Sequence, residues 1–229
     1  MRIDKFLSQL NFCSRNDVKN FLKTYEVIID DQRILDRSYE FNPELQKLQI
    51  DGEITFYENP IHLMIFKPIG FLSANKDKLH PCVVELIKAP YHRFEYAIAG
   101  RLDIDAEGLV ILTTDGTLAH QITHPKSHLP KTYQVTLDME FKHEKELIKG
   151  VMIKDGKNEL YLAKALEIKT SQNDVILKID EGKFHQVKRM FQAVGYEVIH
   201  LKRTHIGHLS LGNLKPGEYR QFRKESLYD

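Results

Sequence analysis

Apolar segments of strand length crowd the chain from residue 61 onward: IHLMIF, EYAIA, GLVILTT, KTYQVTL, LYLAKALEI, DVILKID and EVIHLKR follow one another, separated by turns and few helices. This succession constrains the fold more than any other feature. Parallel neighbours need a crossover of about a dozen residues or more, usually helical, and regular crossover helices are missing from this pattern. It therefore predicts an α+β architecture on a largely antiparallel mixed sheet, and disfavours a doubly wound parallel one. Thr117 to His124 reads as a short helix stopping at Pro125, and Phe184 to Val194 as a better one closed by Gly195.

Ahead of the strands stands a different kind of sequence. Ile3, Phe6, Leu7 and Leu10 recur at helical spacing, and Ser14 with Asp17 predicts an N-cap for a second helix whose apolar face is Val18, Phe21 and Leu22. Arg15, Lys19 and Lys23 align as a cationic ridge beside that face. VIID, LQKLQI and EITFY then read as short strands joined by polar turns. Proline restricts its predecessor, so Glu58-Asn59-Pro60 marks the boundary and divides the chain into 1–58 and 59–229.

Charge alone excludes little, because 33 Lys and Arg face 32 Asp and Glu; clustering matters more, and residues 1–23 hold five Lys or Arg against two Asp. Cys13 and Cys82 lie far apart and match neither a redox nor a metal spacing, as expected of thiols in a reducing compartment. MRIDKFLSQL is too charged for a signal peptide, and no apolar run is long enough to span a bilayer, so the expectation is a soluble cytoplasmic protein. His120, His124 and His128 fall four apart, but Pro125 interrupts the helix that would align them and no HExxH or cysteine cluster accompanies them; no metal is expected.

Three stretches carry candidate chemistry. Gly100-Arg101-Leu102-Asp103 lies between two apolar strands, so Asp103 can serve as nucleophile or base at the mouth of a cleft, or merely bond its own backbone in a turn with Asp105. Two carboxylates two residues apart in a loop do not establish a glycosidase pair. In KTYQVTL, alternation puts Lys131 and Tyr133 on one side of a strand, where the tyrosine either packs or stacks on a base, a contact worth about 1–3 kcal/mol. In EGKFHQVKRMFQAVG, Phe184, Val187, Phe191 and Val194 mark the buried side. Lys188 falls about 80° from that stripe, within reach of a cleft edge and of Asp103, whereas Arg189 falls about 180° away, suited to a phosphate or simply to solvent. Asp115-Gly116 reads as a turn, and Lys67, in FKPIG, as a turn lysine able to meet a backbone phosphate.

Taken in order, MRIDKFLSQLNFCSRNDVKNFL, FKPIG, GRLDIDAEGLVILTTDG, KTY, EGKFHQVKRMF and PGEYR resemble the bacterial ribosomal RNA pseudouridine synthases, and the small-subunit (16S) branch more than the large-subunit (23S) one. The first segment resembles the S4 RNA-binding module. Ala106 stands where that family usually has threonine, and YEVIIDDQ replaces a more glycine-rich S4 turn. The resemblance implies an S4-like module on a pseudouridine synthase domain, a monomer acting without cofactor on ribosomal RNA or a pre-30S particle. It implies a catalytic set of Asp103, Tyr133 stacked on the target uracil, and Lys188 as the basic partner of Asp103. Arg101 would lie beside the displaced nucleotide. RNA would be gripped by Arg2, Lys5, Arg15, Lys19 and Lys23, and around the cleft by Lys131, Lys183, Arg189, Lys202 and Arg203. A 23S enzyme of the same family and a non-catalytic ribosome-assembly protein, suggested by Ala106, are the alternatives.

Overall fold

The computed structural model describes residues 1–124 and 127–228, which form two compact units, the first made of Met1–Ile61 with Ala89–Glu95, the second of His62–Lys88 with the described residues from 96 to 228. The sequence division at 58/59 lies close to the first of these breaks; what it does not contain is the return of Ala89–Glu95 to the N-terminal unit.

The N-terminal unit begins with α1 (Ile3–Gln9) and α2 (Val18–Thr24), which bury Ile3, Phe6, Leu7, Leu10, Val18 and Leu22. Full burial of each such side chain stabilises by about 1.5–3 kcal/mol. The Ser14 hydroxyl does bond the Asp17 carboxylate, but this pair closes the turn before the helix, and Asp17 itself occupies the cap position without a side-chain cap bond. Arg15 consequently sits in that turn, and only Lys19 and Lys23 ride on α2. A small antiparallel sheet follows, in the order β2 (Gln32–Arg33), β1 (Val27–Ile29), β3 (Leu48–Ile50), β4 (Glu53–Ile54). The β1–β2 hairpin turns on Asp30 and Asp31, with φ of 45° and 66°. Aspartate tolerates this left-handed region better than most residues, which lets YEVIIDDQ turn without glycine. Ala89–Glu95 packs here through Arg93, whose guanidinium donates to the Leu10 carbonyl (2.6 Å) and covers the Phe12 ring at 4.2 Å.

The second unit is built on β5 (His62–Lys67), β6 (Ala97–Ala99), β7 (Glu107–Thr113), α3 (Gly116–Thr123), β8 (Lys131–Leu137), α4 (Glu144–Lys149), β9 (Val151–Lys154), β10 (Leu160–Ala163), β11 (Glu167–Ser171), β12 (Asp174–Ile179), α5 (Gln186–Ala193), β13 (Val198–Ile206), β14 (Leu209–Ser210) and β15 (Tyr219–Gln221). Its main sheet runs β11-β12-β8-β13-β7-β5-β15, with β14 on β13 and β6 on β7. All described pairings within it are antiparallel except β13 with β7. The mixed, largely antiparallel α+β expectation thus matches the fold.

Burial explains the sequence texture. Leu109 to Leu112 of β7 are wholly buried, hence a continuous apolar run, whereas β8 and β12 alternate because one face of each is wetter. Leu118, Ala119 and Ile122 of α3 pack with Phe66, Leu109, Ile111 and Ile206 in one core cluster. Asp115 accepts hydrogen bonds from the Thr117 and Leu118 amides, so Asp115-Gly116 opens α3 rather than making a free turn. LYLAKALEI breaks into β10 and β11, because the Ala165 amide bonds the Leu147 carbonyl in α4 (2.9 Å) and turns the chain between them. No helix among the described residues is long and apolar enough to cross a membrane.

Candidate active site

The segment Gly100–Ala106 leaves β6 and enters β7 as a loop bonded on several sides. The Ser73 hydroxyl bridges the Leu102 backbone, donating to its carbonyl (3.0 Å) and accepting from its amide (2.9 Å), and the Gly70 amide donates to the Ile104 carbonyl (2.8 Å). From β13, the guanidinium of Arg203 donates to the carbonyls of Leu109 (2.8 Å), Arg101 (3.4 Å) and Gly100. Gly108, at φ 120°, faces the Arg203 backbone across the parallel β7–β13 pairing, and a Cβ there would collide with the Arg203 carbonyl. Glycine is what lets the two strands come this close. Ala106 is fully buried beneath the loop, so a threonine hydroxyl there would need its own partner.

This frame presents Asp103 to a cleft of about 480 Å³, lined among others by Arg101, Tyr133, Lys183, His185 and Lys188. Asp103 is 29% exposed, with Oδ1 at 3.2 Å from Nε2 of His185 and Oδ2 at 4.0 Å from Nζ of Lys188. The tighter partner of Lys188 is Asp105, at 2.6 Å; its hydrogen bond holds the Asp105 carboxyl below the usual carboxylate range. The expected pairing of Lys188 with Asp103 is therefore the looser half of a shared contact. Asp105 stands two residues further round the turn and is more exposed, so the long lysine reaches it first.

Tyr133 is 5% exposed and sits on β8 opposite Leu177 of β12 and Arg203 of β13, so a strand residue that packs also lines the cleft. Lys131 lies on the same side of β8, as alternation predicts, but it is buried and donates to the Leu129 carbonyl (2.8 Å). Burial, aided by neighbouring Arg203, lowers its pKa to about 8. Lys67 is likewise fully buried and donates to the Pro68 and Phe71 carbonyls at 2.9 and 2.8 Å; burial outweighs the attraction of Asp103 and Asp105 and lowers its pKa to about 8. Lys131 and Arg203 line the cleft but are buried with their donors turned to backbone carbonyls, and Lys67 lies outside the cleft lining.

Arg189 also departs from the sequence reading. Its guanidinium donates to the backbone carbonyls of Lys154 and Asp155 and stands 5.0 Å over the Phe184 ring. The reason is the start of α5: the helix begins at Gln186, so Phe184 lies outside it, 53% exposed, while Gln186, Val187, Met190 and Phe191 supply the buried side. Lys202 covers the Phe66 ring at 4.7 Å and Lys183 the Tyr161 ring at 3.5 Å. Arg101 is exposed at the cleft, and Lys5, Arg15, Lys19 and Lys23 are exposed in the N-terminal unit, where Arg2 pairs with Asp4 at 2.8 Å.

Residues 61–193 match the sequence pattern of the family described as RNA pseudouridylate synthase. The chain belongs to that family. It is 45% identical to an uncharacterized RNA pseudouridine synthase of Bacillus subtilis (strain 168), covering 100% of this chain and 97% of the relative. It is 36% identical to the ribosomal small subunit pseudouridine synthase A of Escherichia coli (strain K12), with 99% and 98% covered, and 40% identical to that of Yersinia pestis, with 99% and 97% covered. A solved pseudouridylate synthase superposes with a TM-score of 0.66 at 31% identity, covering 99% of this chain and 98% of that one.

Within this RNA pseudouridylate synthase, sequence reasoning missed His185 and Ser73 and misassigned Arg203. His185 stands inside EGKFHQVKRMF, but its reach to Asp103 depends on a left-handed backbone (φ 51°) that no local pattern announces. Ser73 and Arg203 act on carbonyls of a loop distant in sequence. Of the three histidines, His128 pairs with Asp180 at 2.8 Å, and α3 ends at Thr123; Pro125 lies outside the described residues. Among the described residues no group of three His, Cys, Asp or Glu is arranged to hold a metal ion.

Proposed function

We propose that this protein converts a uridine of 16S ribosomal RNA to pseudouridine, with Asp103 as the reacting carboxylate. The observation that carries the reading is the Asp103 carboxylate, flanked by two basic side chains, in the same cleft as Tyr133. A uridine must leave its stack to reach such a cleft, at a cost of a few kcal/mol that stacking on Tyr133 and phosphate contacts offset. The N1–C1′ bond then breaks, the detached uracil turns within the cleft, C5 bonds to C1′, and the C5 proton leaves as N1 gains one. Atoms and oxidation state balance, so the isomerisation calls for no electron carrier. Asp103 acts either by attacking C1′ or by taking the 2′ proton; a kinetic isotope effect with 2′-deuterated RNA separates these routes.

Support for the small subunit comes from the relatives named as small-subunit enzymes across their full length. Residues 1–58 serve, in this proposal, as an S4-like RNA-binding module, with Lys5, Arg15, Lys19 and Lys23 as its exposed cations. The enzyme works as a cytoplasmic monomer on ribosomal RNA or an assembling pre-30S particle. Asp103→Asn keeps shape and removes charge: tritium release from C5-labelled 16S RNA should fall by at least about 10³-fold with folding and RNA binding retained. Turnover near the wild-type rate in that variant would remove Asp103 from the chemistry.

A further inference from the structure

We infer that His185 is a positioning residue for Asp103, holding Oδ1 of the carboxylate so that Oδ2 is the oxygen presented to the ribose, and that the exposed Phe184–Arg189 stack exists to aim this imidazole. The inference rests on Asp103 being the reacting carboxylate.

Four observations converge. His185 is the nearer basic neighbour of Asp103, at 3.2 Å, while Lys188 stands 4.0 Å away and is engaged by Asp105 at 2.6 Å. The His185 backbone is left-handed (φ 51°, ψ 28°), a conformation disfavoured for a residue with a Cβ, at the step where the Lys183 carbonyl and Gln186 amide close the turn into α5. Phe184 stacks on the imidazole with ring centroids 3.7 Å apart and an interplanar angle of 20°. Arg189 backs the Phe184 ring and is itself tied to the Lys154 and Asp155 carbonyls at the end of β9. An aromatic 53% exposed contributes little to a core; between a guanidinium and an imidazole it acts as a spacer. The chain of contacts thus runs from β9 through Arg189 and Phe184 to His185 and ends on the carboxylate.

A carboxylate without this contact can rotate about its Cβ–Cγ bond, and misplacement by about 1 Å can cost a factor of about 100 in rate. The test uses single-turnover tritium release from C5-labelled small-subunit ribosomal RNA, naked and in assembled particles, beside filter binding of the same RNA. His185→Ala and His185→Asn should lower the rate by roughly 10- to 100-fold with RNA affinity unchanged within about twofold, asparagine being the residue that best tolerates the left-handed backbone. His185→Gln, which retains an N–H donor of similar reach, should recover several-fold over alanine, and Phe184→Ala should show a smaller loss of the same kind. A wild-type rate in His185→Ala, a loss confined to RNA affinity, or glutamine no better than alanine would overturn the proposal. If His185→Ala does not fold, Phe184→Ala decides, and an unchanged rate there overturns it. Asp103→Asn separates the two readings: an active Asp103→Asn sinks the role of Asp103, whereas an inactive one beside a fully active His185→Ala sinks only this inference.

Discussion

The cations of the two units look alike as letters and behave differently as charges. Lys5, Arg15, Lys19 and Lys23 are exposed in the N-terminal unit, whereas Lys67, Lys131 and Arg203 of the second unit are buried and spend their donors on backbone carbonyls. The first group can displace counterions from a phosphate chain. The second organises the loop that carries Asp103 and the strand that carries Tyr133. A basic residue is thus either an exposed adhesive or a buried brace, and burial distinguishes them.

The largest expected effect breaks a brace. Arg203→Met leaves the Gly100, Arg101 and Leu109 carbonyls without their donor, and should cost at least about 3 kcal/mol in chemical denaturation together with most of the activity. Loss of RNA affinity at unchanged stability would instead return Arg203 to the adhesive group.

The buried lysines make a pH prediction of intermediate size. Both have pKa values lowered from 10.5 to about 8 on folding, so between these limits the unfolded chain binds more protons and stability rises with pH. Their contribution is fully present above about pH 10.5 and is lost as pH falls through about 8, by up to about 3 kcal/mol for each lysine. Lys67→Met and Lys131→Met should each flatten the rise seen in denaturation curves between pH 7 and 10, measured as a difference from the parent protein. An unaltered slope in both would mean that water reaches these ammonium groups.

The smallest effect belongs to the surface. Lys19→Gln with Lys23→Gln should change stability by no more than about 0.5 kcal/mol, yet lower the slope of log affinity against log salt by roughly 0.7–0.9 for each phosphate no longer neutralised. Turnover at saturating RNA should hold. A salt slope identical to the parent's would show that α2 does not touch the RNA.

Much of this molecule was readable from its sequence. The continuous apolar run of β7, the alternation of β8, the helical spacing in α1 and the loop position of Asp103 all reflect periodicities a few residues long. The misreadings have a common cause. Lys131 and Tyr133 alternate correctly to the inner side of β8, but alternation does not say that Lys131 is buried with its ammonium on the Leu129 carbonyl. The α5 wheel included Phe184 because an apolar letter fits the stripe, although the helix starts two residues later and the ring turns outward to His185. Asp115-Gly116 reads as a turn because Asp-Gly serves both in turns and at a helix start.

By itself, then, the sequence determined the α+β strand pattern, the loop that bears the carboxylate and the cationic character of the N-terminal helices, since each follows from local spacing, propensity and charge. Tertiary structure alone decided that Ala89–Glu95 joins the N-terminal unit, that Arg203 reaches the Gly100 carbonyl, and that Asp103 meets His185 while Lys188 meets Asp105. These contacts join positions far apart in the chain, and their partners are chosen by strand register, burial and one left-handed residue, none of which short-range spacing encodes.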